Sequence, residues 1–191
     1  VCDPRLTSAL AVAPAAEARP YGDVRGRFVD GDLLCFRGRG FTSMSIRRLT
    51  KSDYSHVGMV YTYEGRVYSL EATGVGVRLV LMSELVRRYH GGIDYFQVLD
   101  LTPEQRRTAI SFGFQQMGKQ YSHRGIVRFF AYLLLGNRDR KRSRGSWFCS
   151  EIVAEAYRLA GADLHRRSSA YTSPGDLASS SRVQRAFRIK P

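Results

Sequence analysis

Apolar and polar residues alternate in short runs through the first half of the chain, a pattern typical of β-strands. Glycines or turn-forming residues bound most of these runs. The pattern predicts strands over residues 31–37, 54–63, 66–72, 75–81 and 93–99.

Helical spacing and capping signals dominate the second half of the chain. Thr102-Pro-Glu-Gln105 supplies an N-cap residue, a proline at the first helical position and a glutamine three residues later, which predicts a helix to Gly118. Similar signals predict helices over residues 124–135 and 149–160, and shorter ones near 41–49 and from residue 83. Strands followed by helices predict a segregated α+β domain with an antiparallel sheet.

The length and composition fit one folded unit. The 191 residues, 43% of them hydrophobic, are enough for a single core. Residues 1–27 have no periodic pattern, so we expect a flexible N-terminal arm followed by one domain over residues 28–191. Since no apolar run approaches the ~20 residues that span a bilayer, we expect a soluble protein, cytoplasmic or particle-associated rather than exported.

The charge balance is strongly basic, with a formal net charge of +13. Such a charge favours encounter with anionic partners, including nucleic acid, acidic polymers and membrane surfaces. The densest run is Arg138–Arg144. We interpret it as a solvated mobile loop; the alternative is an electropositive rim that attracts an acidic substrate or a membrane surface.

The cysteines and histidines do not form a metal-binding or disulfide pattern. Cys2, Cys35 and Cys149 are irregularly spaced, and Cys35 lies in an apolar run where packing is its expected role. The other histidines, at positions 90, 123 and 165, lack ligand spacing. We therefore expect free thiols and neither a metal nor another cofactor.

Candidate chemistry begins with the hairpin over residues 54–72. Glu64-Gly65 is a plausible two-residue turn, which fixes the register between the two strands. Counting back from that turn places Gly58 opposite Glu71, with His56 one diagonal step away on the same face. A carboxylate on one ring nitrogen would set the tautomer of His56 and leave the other nitrogen free to accept a proton. The alternative is a purely structural pair.

Cys149 is the candidate nucleophile because it begins a predicted helix. Backbone amides at a helix N-terminus stabilise a thiolate, and the same amides could donate to an oxyanion. The alternative is a buried cysteine that only packs. Tyr54 shares a face with His56 and could donate to the oxyanion or shape the site, although a core position is its more common fate.

The motifs Asp53–Val60, Leu70–Ala72 and Phe148–Val153 resemble those of permuted papain-like enzymes of the NlpC-type superfamily, in particular the YiiX-like group. Further likeness in Gly31–Leu34, Gly118–Tyr121 and Ser173–Leu177 extends the resemblance over most of the chain. Relatives often carry an acidic residue where this chain has Ser122, so any role of that carboxylate is in doubt here.

This resemblance implies a circularly permuted papain-like fold in which Cys149 attacks, His56 acts as its base and Glu71 orients the ring. It implies a cysteine-dependent hydrolase that cleaves an amide or ester through an acyl-enzyme, with peptide, peptidoglycan or acyl-lipid substrates. The motifs do not separate a peptidase or amidase from an acyltransferase or thioesterase. A rival hypothesis, based on charge alone, is a basic structural or nucleic-acid-associated protein with a vestigial site.

Overall fold

The fold is built on one large, mainly antiparallel sheet. A computed structural model of the chain describes residues 17–122, 125, 127, 129, 131, 134, 146–166 and 168–190. The seven strands of the sheet are β1 (Ala18–Pro20), β2 (Leu33–Gly38), β3 (His56–Tyr63), β4 (Arg66–Thr73), β5 (Gly76–Leu81), β6 (Gly91–Val98) and β9 (Val183–Lys190). They lie in the order β1-β9-β6-β2-β3-β4-β5. Only β1 and β9 pair in parallel among these strands.

Helices pack on both faces of this sheet. They are α1 (Tyr21–Val24), α2 (Phe41–Leu49), α3 (Met82–Arg88), α4 (Pro103–Gln115), α5 (Cys149–Leu159) and α6 (Pro174–Ala178). A small parallel pair, β7 (Gln120–Tyr121) and β8 (Ser146–Trp147), lies beside them. The predicted helix over residues 124–135 lies mostly outside the described residues, and the basic run 138–144 lies wholly outside them. The predicted α+β class is confirmed.

Two apolar layers hold the helices to the sheet. On one face, α4 and α5 cover a core that includes Leu33, Met59 and Leu70. On the other face, the N-terminal segment and α3 cover a second core with Phe36 and Tyr95. The alternation of side chains along the central strands therefore supplies both layers at once, which explains why their buried stretches carry apolar residues on both faces.

Helix α4 begins and attaches as its sequence dictates. Thr102 and Gln105 form a reciprocal capping box, as predicted. Arg106 then donates to the carboxylate of Asp32 at 2.8 Å and to the carbonyl of Val98 at 2.9 Å. Asp32 also accepts from the Val98 amide and from the Tyr95 hydroxyl. This buried carboxylate fastens α4 to the centre of the sheet.

Residues 18–27, which we expected to belong to a flexible arm, pack against the sheet. Strand β1 pairs with β9 over three residues, and the Val24 side chain is fully buried. Phe28 continues the same cluster with ring contacts to Tyr95 and Phe187. The packed unit therefore includes this segment, while residues 1–16 of the expected arm lie outside the described residues.

Strand β9 was not predicted from the sequence. Its pairing with β6 shifts register between Tyr95 and Phe96, which places Phe187 opposite the first and Arg185 opposite the second. The bulge breaks the two-residue alternation of side chains, and two arginines face a buried carboxylate instead of apolar neighbours. Because of the bulge and the inward arginines, β9 lacks the regular alternation of apolar and polar residues by which strands are predicted from sequence.

Candidate active site

The hairpin formed by β3 and β4 positions the first two candidate residues. Glu64 and Gly65 form the connecting turn with positive φ values of 46° and 68°, and Tyr63 pairs with Arg66 as predicted. The register continues through Met59 and Leu70, which are opposite each other. This places His56 and Glu71 on one face at the end of the sheet that lies away from the turn.

His56 and Glu71 are in direct contact. Nε2 of the ring lies 2.9 Å from Oε2 of the carboxylate, whose side chain is almost wholly buried. The Ser69 hydroxyl also donates to Oε2, at 3.3 Å, and Arg78 lies 3.7 Å from Oε1. The carboxylate therefore has several partners that fix its orientation, and it in turn fixes the ring.

Gly58 leaves room for this contact. A Cβ atom at this position would lie 2.4 Å from the Ser69 hydroxyl oxygen and 3.3 Å from the Glu71 Cβ. Any larger residue would displace the hydroxyl that holds the carboxylate. The glycine is thus required by close approach of side chains from the neighbouring strand.

Cys149 is the first residue of α5, as predicted from the sequence. The first hydrogen bond of the helix runs from the Ile152 amide to the Phe148 carbonyl, at 3.2 Å. The Cys149 and Ser150 amides therefore precede the helical hydrogen-bond ladder, where they can donate to an anion. The rest of the helix docks through Ile152 and other buried residues, which fixes the sulfur at the edge of the core.

The thiol and the imidazole meet. Cys149 is close enough to the His56 ring to affect its pKa, and since Nε2 faces Glu71, Nδ1 is the nitrogen available to the sulfur. Burial opposes a charged ring, but the charges of Cys149 and Glu71 and hydrogen bonds to both raise the pKa of His56 to about 10. A thiol beside an imidazole can give its proton to the ring, and the sulfur can then attack a carbonyl carbon.

Tyr54 occupies a neighbouring polar network. Its hydroxyl donates to Asp94 at 2.7 Å and accepts from Arg37 at 3.3 Å. Arg185 and Arg188 also contact this fully buried carboxylate. The hydroxyl hydrogen of Tyr54 is already used in the hydrogen bond to Asp94 and is not free for an oxyanion. The geometry therefore favours a role for Tyr54 in shaping the site over hydrogen-bond donation to the oxyanion.

The described cysteine and histidines outside the candidate triad are Cys35, His90 and His165. Cys35 is fully buried in the core, and burial raises the pKa of its thiol. His90 is exposed, and His165 lies 3.9 Å from Asp176. Cys2 and His123 are outside the described residues.

Sequence reasoning missed two tyrosines near the site. Burial raises the pKa of Tyr89 to about 12, with charges on Glu71 and Cys149 adding to the effect of burial, and its ring packs against Phe36. Burial and then the charge of Cys149 raise the pKa of Tyr121. Tyr121 belongs to a motif noted above, whereas Tyr89 follows a short helix without any local signal.

Ser122 also has a place near the site. Its side-chain oxygen accepts from the Gly125 amide at 3.0 Å, and the residue is buried. This is a local capping bond of the kind that a carboxylate could also form. Ser122 therefore supports the chain next to Tyr121.

The chain also resembles known proteins over most of its length. Residues 28–173 match the sequence pattern of the permuted papain-like amidase enzymes of the YaeF/YiiX, or C92, family. The chain belongs to the C92 family. This membership confirms the YiiX-like resemblance of the motifs.

Two relatives of the C92 chain illustrate how far the likeness extends. It is 30% identical over 176 residues to the probable lipoprotein peptidase YaeF of Escherichia coli K12, with 77% of this chain and 61% of the relative covered. The crystal structure of the metalloprotein YiiX from Escherichia coli O157:H7 aligns with a TM-score of 0.67 at 19% identity. That alignment covers 86% of this chain and 99% of YiiX, and it supports the permuted papain-like fold.

The described part of this C92 chain contains no cluster of three or more His, Cys, Asp or Glu side chains that could hold a metal ion. The description of YiiX as a metalloprotein therefore has no matching donor set among these residues. Among the described helices, none has both the length and the apolar character needed to cross a bilayer.

Proposed function

We propose that the chain is a thiol hydrolase that cleaves an amide or ester bond through an acyl-enzyme, with Cys149 as nucleophile, His56 as base and Glu71 as orienting residue. The observation that carries the proposal is the 2.9 Å contact between the His56 imidazole and the Glu71 carboxylate, together with the influence of Cys149 on the pKa of the same ring. If His56 and Glu71 formed only a structural pair, there would be no need for a thiol at the start of helix α5 near the same ring.

The acylation step uses each group once. The Cys149 thiol gives its proton to Nδ1 of His56, and the sulfur attacks the carbonyl carbon of the substrate. The carbonyl oxygen becomes an oxyanion, for which the amides at the start of α5 are the nearest built-in donors. The intermediate collapses as the C–N or C–O bond breaks and His56 protonates the leaving group, which leaves a thioester on Cys149.

Water then completes the reaction. His56 takes a proton from a water molecule as the oxygen attacks the thioester carbon, and the carboxylic acid leaves when the C–S bond breaks. The proton on His56 returns to the sulfur. Glu71 keeps Nδ1 of the ring directed toward Cys149 through both steps, because its hydrogen bond with Nε2 does not change.

The substrate we propose is peptide-like, in keeping with the peptidases and amidases of the family. Cell-wall peptide is the class suggested by the motif resemblance. The basic character of the chain, with a net charge of +13, would favour acidic peptides among these.

Mass spectrometry of the intact protein during turnover tests the proposal. Wild-type protein incubated with peptidoglycan fragments, acyl thioesters or phospholipids should gain an acyl mass that hydroxylamine removes, and peptide mapping should place it on Cys149. His56→Ala should accumulate no adduct on the same timescale, and Cys149→Ala none at all. Turnover that persists in Cys149→Ala, or an acyl mass on another residue, would overturn the proposal. Transfer to an added alcohol or amine rather than to water would identify an acyltransferase instead.

A further inference from the structure

Helix α2 has an outward face that the proposed chemistry does not use. Phe41, Met44 and Arg48 follow one another at helical spacing and are all exposed, with 87% of Phe41 and 56% of Met44 accessible to solvent. The inward positions include Ser43, which packs against Gly38. The helix therefore presents two large apolar side chains, Phe41 and Met44, to solvent, whereas its other large apolar residues, Ile46 and Leu49, are partly buried.

Basic residues continue this outward face. Arg48 and Lys51 lie beyond Met44, and Arg39 is exposed just before the helix. The nearby acidic residue Asp53 pairs with Arg37 at 3.1 Å and lies 3.8 Å from Arg47. Among the described residues, no carboxylate lies within ion-pair distance of the exposed cations at positions 39, 48 and 51, so this face has a local excess of positive charge.

A groove of about 690 Å³ runs along the same face between α2 and the loop that follows it. Phe41 and Met44 line it together with basic residues, among them Arg48 and Lys51. An occupant that matches this lining has apolar chains beside an anionic headgroup. Anionic phospholipid in a bilayer has that combination, whereas a soluble acidic peptide would leave Phe41 and Met44 unmatched.

The helix also flanks the candidate active site. Arg47 donates to the Gly38 carbonyl at 3.3 Å, and the Gly38 amide donates to Ser55, the residue before His56. A surface bound by α2 would therefore lie next to the end of the sheet that carries His56. Exposed apolar residues at the opposite end, Val29 and Tyr63, provide a natural comparison.

We propose that the outward face of α2 (Phe41, Met44, Arg48 and Lys51) docks the protein on anionic bilayers, with the two apolar side chains in the interface and the cations on lipid headgroups. Docking is independent of the proposed catalytic chemistry. It brings the candidate active site to the lipid surface, where an acylated or surface-attached substrate would be presented.

Vesicle flotation of the full chain tests this proposal. Vesicles of equal parts phosphatidylcholine and phosphatidylglycerol should carry the protein upward, vesicles of phosphatidylcholine alone should carry much less, and added salt should weaken binding. Phe41→Ser with Met44→Ser should lower the partition coefficient by about tenfold or more. Arg48→Gln with Lys51→Gln should lower it by roughly fivefold per removed charge.

Matched controls remove the same chemistry elsewhere. Val29→Ser with Tyr63→Ser, and Arg66→Gln with Arg107→Gln, should float like the wild type. Cys149→Ala should also float normally, which separates this proposal from the proposed function. Circular dichroism melting of every variant checks that the fold is intact.

Two results would overturn the proposal. One is unchanged flotation of both α2 double variants in folded protein, which would place any lipid contact elsewhere on the chain. The other is a concentration-dependent increase in molecular mass without lipid that disappears in the Phe41→Ser, Met44→Ser variant, which would make this face a contact between copies of the chain.

Discussion

At the scale of residues, the candidate site joins the His56 imidazole to the Glu71 carboxylate and brings Cys149 close to the same ring. Glu71 is buried and held by Ser69, so it cannot easily move away from the ring. Cys149 is fixed by the docked helix that it begins. Both residues raise the pKa of His56, against the opposing effect of burial.

Removing the sulfur should lower the pKa of His56. Cys149 is the largest of the influences that raise this pKa to about 10, and burial opposes them. In Cys149→Ala the ring should therefore titrate at lower pH than in the wild type, as measured by NMR of the imidazole protons. An unchanged titration would mean that sulfur and ring do not interact.

The same contact predicts a pH-dependent stability difference. A pKa raised from 6.5 to about 10 on folding contributes stability that is complete below pH 6.5 and is lost as pH rises through about 10. The stability advantage of wild type over Cys149→Ala should shrink across that range, as followed by urea unfolding at several pH values. Because packing changes little with pH, an advantage that stayed constant would point to packing alone.

Replacing Glu71 should damage turnover more than it damages the fold. Glu71→Ala removes the acceptor for Nε2 and should lower kcat/KM by about 100-fold or more. Glu71→Gln keeps an acceptor oxygen and should lose less. A purely structural carboxylate would instead give variants whose activity, measured on the folded fraction, equals that of wild type.

At the scale of elements, the β3–β4 hairpin determines where the ring and the carboxylate meet. Much of this was predictable, because a two-residue turn fixes register and register fixes faces. The distance from His56 to Cys149 was not predictable from local pattern, because it depends on how α5 docks across the sheet. The expectation that Cys149 lies near His56 came from the family motifs. In the structure, the packing of Ile152 and its neighbours holds α5 in place.

The close approach at Gly58 gives a test of the hairpin. Gly58→Ala places a methyl group 2.4 Å from the Ser69 hydroxyl oxygen and should cost about 1–3 kcal/mol of unfolding free energy, with a loss of activity. Adding Ser69→Ala removes the clashing oxygen and should restore part of the stability. Urea unfolding of the single and double variants measures both effects, and a double variant no more stable than Gly58→Ala would place the strain elsewhere.

The attachment of α4 gives a second test. Asp32→Ala leaves the Arg106 guanidinium without its carboxylate and should destabilise the protein by about 3–5 kcal/mol in chemical unfolding. Glu104→Ala removes an exposed ion pair from the same helix and should leave the unfolding midpoint unchanged. Equal effects of the two substitutions would contradict the role given to Asp32.

At the scale of the whole molecule, the fold pairs strand β1 with strand β9, two segments that are far apart in the sequence and that local patterns did not predict as strands. The α+β class followed from the order of strands and helices. Strand β9 escaped prediction because its bulge and its inward arginines disturb the alternation. Residues 18–27 escaped because a three-residue strand and a one-turn helix carry no periodicity, and only pairing with β9 explains their order.

The pairing of β1 with β9 predicts that residues 18–27 and the rest of the domain unfold as one cooperative unit. Val24→Ala should destabilise the whole protein by about 2 kcal/mol, because the side chain is fully buried between the N-terminal segment and the sheet. Val29→Ala, at a partly exposed position, should have little effect. Thermal unfolding followed by both circular dichroism and tryptophan fluorescence should shift together; separate transitions would indicate that the segment folds independently.

The most direct test of the central claim is site-mapped alkylation of the native protein. Iodoacetamide at neutral pH should modify Cys149, which is 5% exposed at the start of α5, and leave the fully buried Cys35 untouched. His56→Ala should slow modification of Cys149 at least about tenfold, because no ring accepts the thiol proton. Equal rates in wild type and His56→Ala, or modification confined to the other cysteines, would contradict the account.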